Sequence, residues 1–307
     1  MTDTATSRRD FLAASTATVA LGATATNSVA ADTKPKPVVP LKRAVKIGMV
    51  REGKTLTEKF KLLKDLGYDG VELDSPSRVT RDDVQKAKDA TGLPVHGVVD
   101  SVHWRQTLSD PDPKVRAAGL KGLTTALNDA KAYGATSVLL VPAVVNKQVS
   151  YKDAYVRSQA EIKKALPLAA KLEIKILFEN VWNNFLLSPV EMARYIDEFE
   201  SPWVGAYFDV GNIVRYGWPE HWIQALGKRV VKLDIKEYSR KLQNTKGPGA
   251  GFRVEVGDGD CDWPAVMKAL KTIGYSGWAT AEVRGGNRER LKEIADRMDR
   301  AFSKIAS

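Results

Sequence analysis

Four short apolar runs in this 307-residue chain end in a carboxylate: Ile174–Glu179, Val204–Asp209, Val230–Asp234 and Trp278–Glu282. The acids follow one another at intervals of 30, 25 and 48 residues. That spacing suits strand–helix–strand units, because a parallel return needs a crossover of about a dozen residues or more. If the runs are parallel strands of one barrel, all four acids lie at equivalent strand ends and converge. Converging carboxylates repel one another, and a cation is what would hold them together.

The rest of the chain has the same rhythm. From Val45 onward, short β-branched runs alternate with longer amphipathic segments. Strands are expected at 45–50, 69–73, 94–99, 136–141, 174–179, 204–209, 229–235 and 277–283. Helices are expected at 55–66, 80–90, 113–133, 151–172, 188–199, 219–227, 263–273 and 287–304. Eight such units over about 260 residues predict an α/β fold of the (β/α)8 barrel type. Gly67, Gly134 and Gly274 stand just past helix ends, where a left-handed cap is needed. Ser188-Pro189 and Asp262-Trp263-Pro264 place a cap and a proline at helix starts. A doubly wound open sheet would carry a glycine-rich phosphate loop after the first strand, and Val50-Arg51-Glu52-Gly53 does not supply one.

Residues 1–31 have the order of an export signal. Ser7-Arg8-Arg9-Asp10-Phe11-Leu12 resembles the twin-arginine motif, an Ala/Thr-rich stretch follows, and Ser28-Val29-Ala30 is a small-x-small cleavage site. This predicts transit through the Tat translocase to a periplasmic or cell-envelope location. Residues 32–44, rich in Pro and Lys, are expected to be a linker, with the barrel at 45–307. No uninterrupted apolar run is long enough for a stable membrane span. The net charge is +10, and the expected signal leaves it unchanged, since Arg8 and Arg9 offset Asp3 and Asp10. The lysines are scattered at helical spacing with no basic block among aromatics, so no nucleic-acid partner is expected. Cys261 is the only cysteine, which excludes an intrachain disulfide and a cysteine-based metal site. A homo-oligomer is compatible with the sequence.

In a barrel the chemistry is built at the C-terminal strand ends, where Glu179, Asp209, Asp234 and Glu282 fall. Oxygen donors favour one divalent ion, Mn2+ or Mg2+, with Co2+ or Zn2+ as alternatives. The competing reading is a set of salt bridges to loop lysines and arginines. Lys232, Asp234 and Lys236 alternate along the seventh strand and share one face, which assigns Lys236 to the site and Arg240 after it. Glu72 at the end of the second strand and His103 after the third are further substrate-binding candidates. His96, in mid-strand, is expected to be a core histidine. Trp182, Trp218 and Trp222 would form an apolar wall or simple packing. The glycine-rich segment 238–262 is long enough for a flexible lid.

The segments Glu179-Asn180-Val181-Trp182-Asn183-Asn184, Tyr207-Phe208-Asp209-Val210-Gly211-Asn212, Val231-Lys232-Leu233-Asp234-Ile235-Lys236-Glu237 and Gly277-Trp278-Ala279-Thr280-Ala281-Glu282 resemble the xylose-isomerase-like TIM-barrel superfamily. Within it they are most similar to the sugar (phosphate) isomerases and 3-epimerases, over roughly residues 45–305. The resemblance implies a metal quartet of Glu179, Asp209, Asp234 and Glu282. It also implies catalytic proton transfer by Glu179 and Glu282 through an enediolate of a ketose or ketose phosphate, and a substrate contact by Arg240. Two positions depart from the family pattern: Asp234 stands where His is usual, and Asn212 stands where His is common but can still bond a hydroxyl. A metal-dependent lyase or hydrolase on an oxidised sugar or glycoside, and a non-catalytic carbohydrate-binding barrel, are the alternatives. A DNA-repair endonuclease of the superfamily would need many more histidines than His96, His103 and His221.

Overall fold

The computed structural model describes residues 41–303. The expected export signal and most of the expected linker lie outside the described residues. Eight parallel strands close into a barrel in sequence order. They are β1 Lys42–Lys46, β2 Gly70–Ser75, β3 Val95–Asp100, β4 Ser137–Leu140, β5 Lys175–Glu179, β6 Val204–Asp209, β7 Val230–Ile235 and β8 Trp278–Ala281. Ten helices alternate with them: α1 Leu56–Asp65, α2 Arg81–Thr91, α3 Pro113–Tyr133, α4 Tyr151–Leu172, α5 Pro189–Asp197, α6 Val210–Val214, α7 Pro219–Leu226, α8 Arg240–Lys246, α9 Trp263–Thr272 and α10 Arg288–Phe302. The (β/α)8 expectation is met.

The helix boundaries follow local chemistry. Thr55 and Thr80 close capping boxes with Glu58 and Asp83 at the starts of α1 and α2. Ser188 and Asp262 cap α5 and α9, each followed closely by proline. Gly67, Gly134 and Gly274 adopt φ of 78°, 76° and 70°, the left-handed conformation expected of them. The main apolar core lies between the strands and the helices, with Phe60, Val71, Leu127, Ile176, Phe208, Ile223 and Leu291 fully buried. Burying a side chain of that size stabilises by about 1.5–3 kcal/mol. A smaller cluster, Leu139, Leu177 and Tyr207, is separate from it. It fills part of the barrel interior.

Three features differ from the sequence expectation. The first strand ends at Lys46 instead of Val50, because Ile47–Met49 turn into a 3-10 helix. The frame moves back by three residues, and Lys46 becomes the C-terminal residue of β1. Second, α6 starts directly from the end of β6, with Asp209 as its N-cap. Third, the expected flexible segment 238–262 is built from α8 and a 3-10 helix at Pro248–Phe252. The buried Glu237 carboxylate pins it, accepting from the Tyr238, Gly257 and Cys261 amides and from Trp263 Nε1 at 2.8–3.2 Å.

Candidate active site

Glu179 and Asp209 are the last residues of β5 and β6, Asp234 is next to last in β7, and Glu282 follows β8 directly. The closed sheet therefore delivers all four to one place. One carboxylate oxygen from each lies within 4.8 Å of the others. Glu179, Asp209 and Asp234 are buried, while about 35% of the Glu282 side chain is open to solvent. The ring thus has one accessible side, at the barrel mouth.

Each acid is placed by its neighbours. The Asn180 side chain clamps the Asp209 backbone, donating to its carbonyl and accepting from its amide, both at 2.8 Å. Asp209 Oδ1 accepts the Asn212 amide at 2.7 Å, which spends one oxygen on capping α6 and leaves Oδ2 for the ring. Asn212 Nδ2 donates to the Asn180 carbonyl at 3.0 Å, and Trp182 Nε1 donates to the Asn212 carbonyl at 3.0 Å. Gly211 lets this turn sit against β7: a Cβ there would lie 2.5 Å from Lys236 Cβ.

Two lysines enter the ring. Lys236 Nζ lies 3.0 Å from Asp209 Oδ2 and 3.3 Å from Glu282 Oε2. Lys46 Nζ lies 2.9 Å from Asp234 Oδ2 and 3.0 Å from Glu282 Oε2. These are charge contacts without hydrogen-bond alignment. Glu179 Oε1, Asp209 Oδ2, both Asp234 oxygens and Glu282 Oε2 are left with no hydrogen-bond partner. Orphaned buried oxygens are costly unless something draws on their lone pairs. Four carboxylates and two ammoniums sum to two formal negative charges. Buried unpartnered oxygen donors with that charge fit one divalent cation. The salt bridges weighed against a metal in the sequence are therefore present, but they neutralise only half of the acids.

Electrostatics separate the two glutamates. Burial, reinforced by the Glu282 charge, pushes the Glu179 carboxyl up to about 8. Burial would raise Glu282 too, but Lys46 and Lys236 overcome it and hold that carboxyl at about 2. Burial drives Asp234 well above the usual carboxylate range and raises Asp209, in each case against the pull of a lysine. Asp209 and Glu282 outweigh burial at Lys236 and raise its pKa.

Beside the ring lie Glu72 and Lys232; the ion-pair contact of Glu72 is with Lys46 Nζ, at 3.7 Å. Glu72 is buried in β2, in register with Lys46 on one side and Gly97 on the other. A Cβ at Gly97 would lie 2.6 Å from Glu72 Oε1 and 3.2 Å from Lys232 Nζ, so glycine makes the space into which both groups project. Burial raises Glu72 and lowers Lys232 to about 7. Lys232 Nζ also donates to the His96 carbonyl. His96 is the core histidine expected, stacked on Trp278 at 4.4 Å and bonded through Nε2 to Thr280 Oγ1 at 3.1 Å.

The other candidates are spread around the mouth. His103 is buried, and its Nδ1 accepts the Val141 amide at 3.2 Å, which puts the ring proton on Nε2. Burial, with Lys46 nearby, lowers its pKa to about 3. The Arg240 guanidinium donates to the Val214 and Gly217 carbonyls at 2.9 and 2.6 Å and lies over Trp218. Trp182 packs on Phe252 at 4.8 Å, and Phe252 in turn lies 5.6 Å from Lys236 Nζ. Trp222 is buried against Phe208. A groove lined by Tyr151, Tyr155, Glu191 and Arg194 runs between α4 and α5 and shares no residue with the ring.

Sequence reasoning missed Lys46 and Asn180. Placing β1 three residues too late put Lys46 near the strand's start, away from the ring. Asn180 adjoins Glu179, but its role depends on β6 being the spatial neighbour of β5.

Comparison with known proteins is consistent with this architecture. Residues 60–302 match the family model described as xylose isomerase-like TIM barrel. The chain is 26% identical over 237 residues to the L-ribulose-5-phosphate 3-epimerase UlaE of Salmonella paratyphi A, covering 73% of this chain and 81% of that one. The crystal structure of the 3-keto-D-glucoside 4-epimerase YcjR from E. coli superposes with a TM-score of 0.72 at 18% identity, covering 85% of this chain and 99% of that chain. An L-ribulose 3-epimerase structure superposes with a TM-score of 0.71 at 16% identity, covering 86% and 95%.

Proposed function

The chain belongs to the xylose isomerase-like TIM-barrel family, and from that premise we propose that it is a divalent-metal-dependent sugar epimerase or isomerase acting on a ketose or ketose phosphate. The observation that carries the proposal is the ring of Glu179, Asp209, Asp234 and Glu282, five of whose eight carboxylate oxygens are buried without a hydrogen-bond partner. UlaE, a ribulose-phosphate 3-epimerase, supports the reaction class.

Glu179, Asp209, Asp234 and Glu282 would hold the cation, with Mn2+ or Mg2+ favoured by an all-oxygen donor set. Bound there, it supplies Lewis-acid polarisation of a carbonyl and its neighbouring hydroxyl. Glu179 and Glu282, which face the same ring from β5 and β8, are the pair proposed to take a proton from the carbon beside the carbonyl and to deliver one. Lys46 and Lys236 lie where negative charge develops on the enediolate and stabilise it electrostatically. Glu72, His103, Asn212 and Arg240 are proposed as substrate-contacting or positioning groups. The Ser7–Leu12 motif supports export by the Tat route to the periplasm or cell envelope, which a signal–reporter fusion tests.

The test is exchange of the ketose C–H proton with deuterated solvent, followed by NMR on Mn2+-loaded protein. Exchange is expected, and Glu179→Gln and Glu282→Gln should each slow it by about 10²–10⁴-fold. Absence of exchange across a ketose panel, with Mn2+ shown to be bound, overturns the proposal. A second reading, lyase or hydrolase action on an oxidised sugar or glycoside, is favoured by the exposed Trp104, Tyr216 and Trp218 on the β3 and β6 loops. Their flat faces could stack an aglycone. Aglycone release without C–H exchange would select it.

A further inference from the structure

The inference below deepens the metal-binding reading and rests on it. Asp234 is buried, and neither of its oxygens has a hydrogen-bond partner. Among the described residues its one ion-pair partner is Lys46, 2.9 Å away, whose ammonium also lies 3.0 Å from Glu282 Oε2 and 3.7 Å from Glu72 Oε2. The other lysines on its strand are engaged elsewhere: Lys232 with the His96 carbonyl, Lys236 with Asp209 and Glu282. Only 15% of the Lys46 side chain meets solvent, so its ammonium is directed into the ring by the course of β1.

We propose that Lys46, held between Asp234 and Glu282, is the counter-charge on which Asp234 depends, so that the ring's net charge matches a divalent ion. With both present, the ring carries two negative charges. Without Lys46 it carries three, which suits a trivalent ion. With a neutral ligand at position 234 and Lys46 retained, it carries one, which leaves a bound divalent ion one charge in excess. The residues at 46 and 234 are therefore coupled through the metal, although they come from the first and seventh strands.

The experiment measures ion binding on the full chain, with Mn2+ by calorimetry and Tb3+ by sensitised luminescence. Lys46→Gln should shift relative affinity toward Tb3+ by about tenfold or more, while Lys46→Arg keeps the wild-type ratio. Asp234→His alone should weaken Mn2+ by about tenfold or more, and Asp234→His with Lys46→Gln should return it to near the wild-type value. A Tb3+/Mn2+ ratio unchanged in Lys46→Gln, or equal Mn2+ binding by the single and double Asp234→His variants, overturns the proposal. If Lys46→Gln does not fold, Asp234→His decides alone: unchanged or tighter Mn2+ binding overturns it. A wild-type chain that binds neither ion overturns the underlying metal reading, an outcome distinct from Mn2+ binding that is indifferent to Lys46.

Discussion

The two halves of the barrel build its mouth from different materials. β5–β8 and the residues that directly follow them contribute all four acids of the ring, with Lys232 on β7 and Lys236 just after it. β1–β4 and their loops contribute Lys46, Glu72 and the neutral His103. The second half thus supplies the donors, and the first half supplies a counter-charge and a buried polar floor. The comparison teaches that the ring's chemistry is set jointly. The donors alone would carry a charge that no single divalent ion cancels.

The division can be broken most directly through metal affinity. Asp209→Asn removes a donor from the second half and should weaken Mn2+ binding by about 100-fold or more. Glu72→Gln, in the first half, should cost less than about tenfold, because Glu72 lies outside the four-acid ring. Calorimetric titration of the two variants checks this, and equal losses would erase the distinction between donor and floor.

A smaller effect is expected from the floor's packing. A methyl group at Gly97 would press on the Glu72 carboxylate at 2.6 Å, whereas one at Gly48 would meet nothing within 4 Å. Gly97→Ala should therefore destabilise by about 1–3 kcal/mol, and Gly48→Ala should be close to neutral. Thermal melts of both variants sharpen the comparison. A Gly97→Ala protein as stable as the parent would show that the Glu72–Lys232 pair can shift freely.

A further effect concerns pH. The folded state holds His103 at about 3, below its ordinary 6.5. The unfolded chain therefore binds the extra proton first on acidification. The stability contributed by neutral His103 is complete above about pH 6.5 and is lost as pH falls toward 3, at up to about 1.4 kcal/mol per pH unit. Denaturant titrations from pH 7 to 4 should show this slope, and it should be reduced in His103→Asn. An identical slope in that variant would assign the acid sensitivity to other groups.

The fold and the convergence of the four acids were legible in the sequence. Alternation of β-branched runs with amphipathic segments predicts the closed barrel, and an acid at the end of each of four runs predicts the ring. Both are local signals, because period and position within a run are read from neighbouring residues. The expected segment 238–262 went differently: its glycines suggested a flexible lid, yet Glu237 gathers donors from up to 26 residues away and fixes it. Only the tertiary structure decided that Lys46 faces Asp234, that Asn180 clamps Asp209, and that Glu72 meets Lys232 across Gly97. Each of these pairings joins strands through barrel closure and register. A three-residue slip in one strand's frame was enough to hide Lys46, because its charge acquires meaning only when β1 closes against β8.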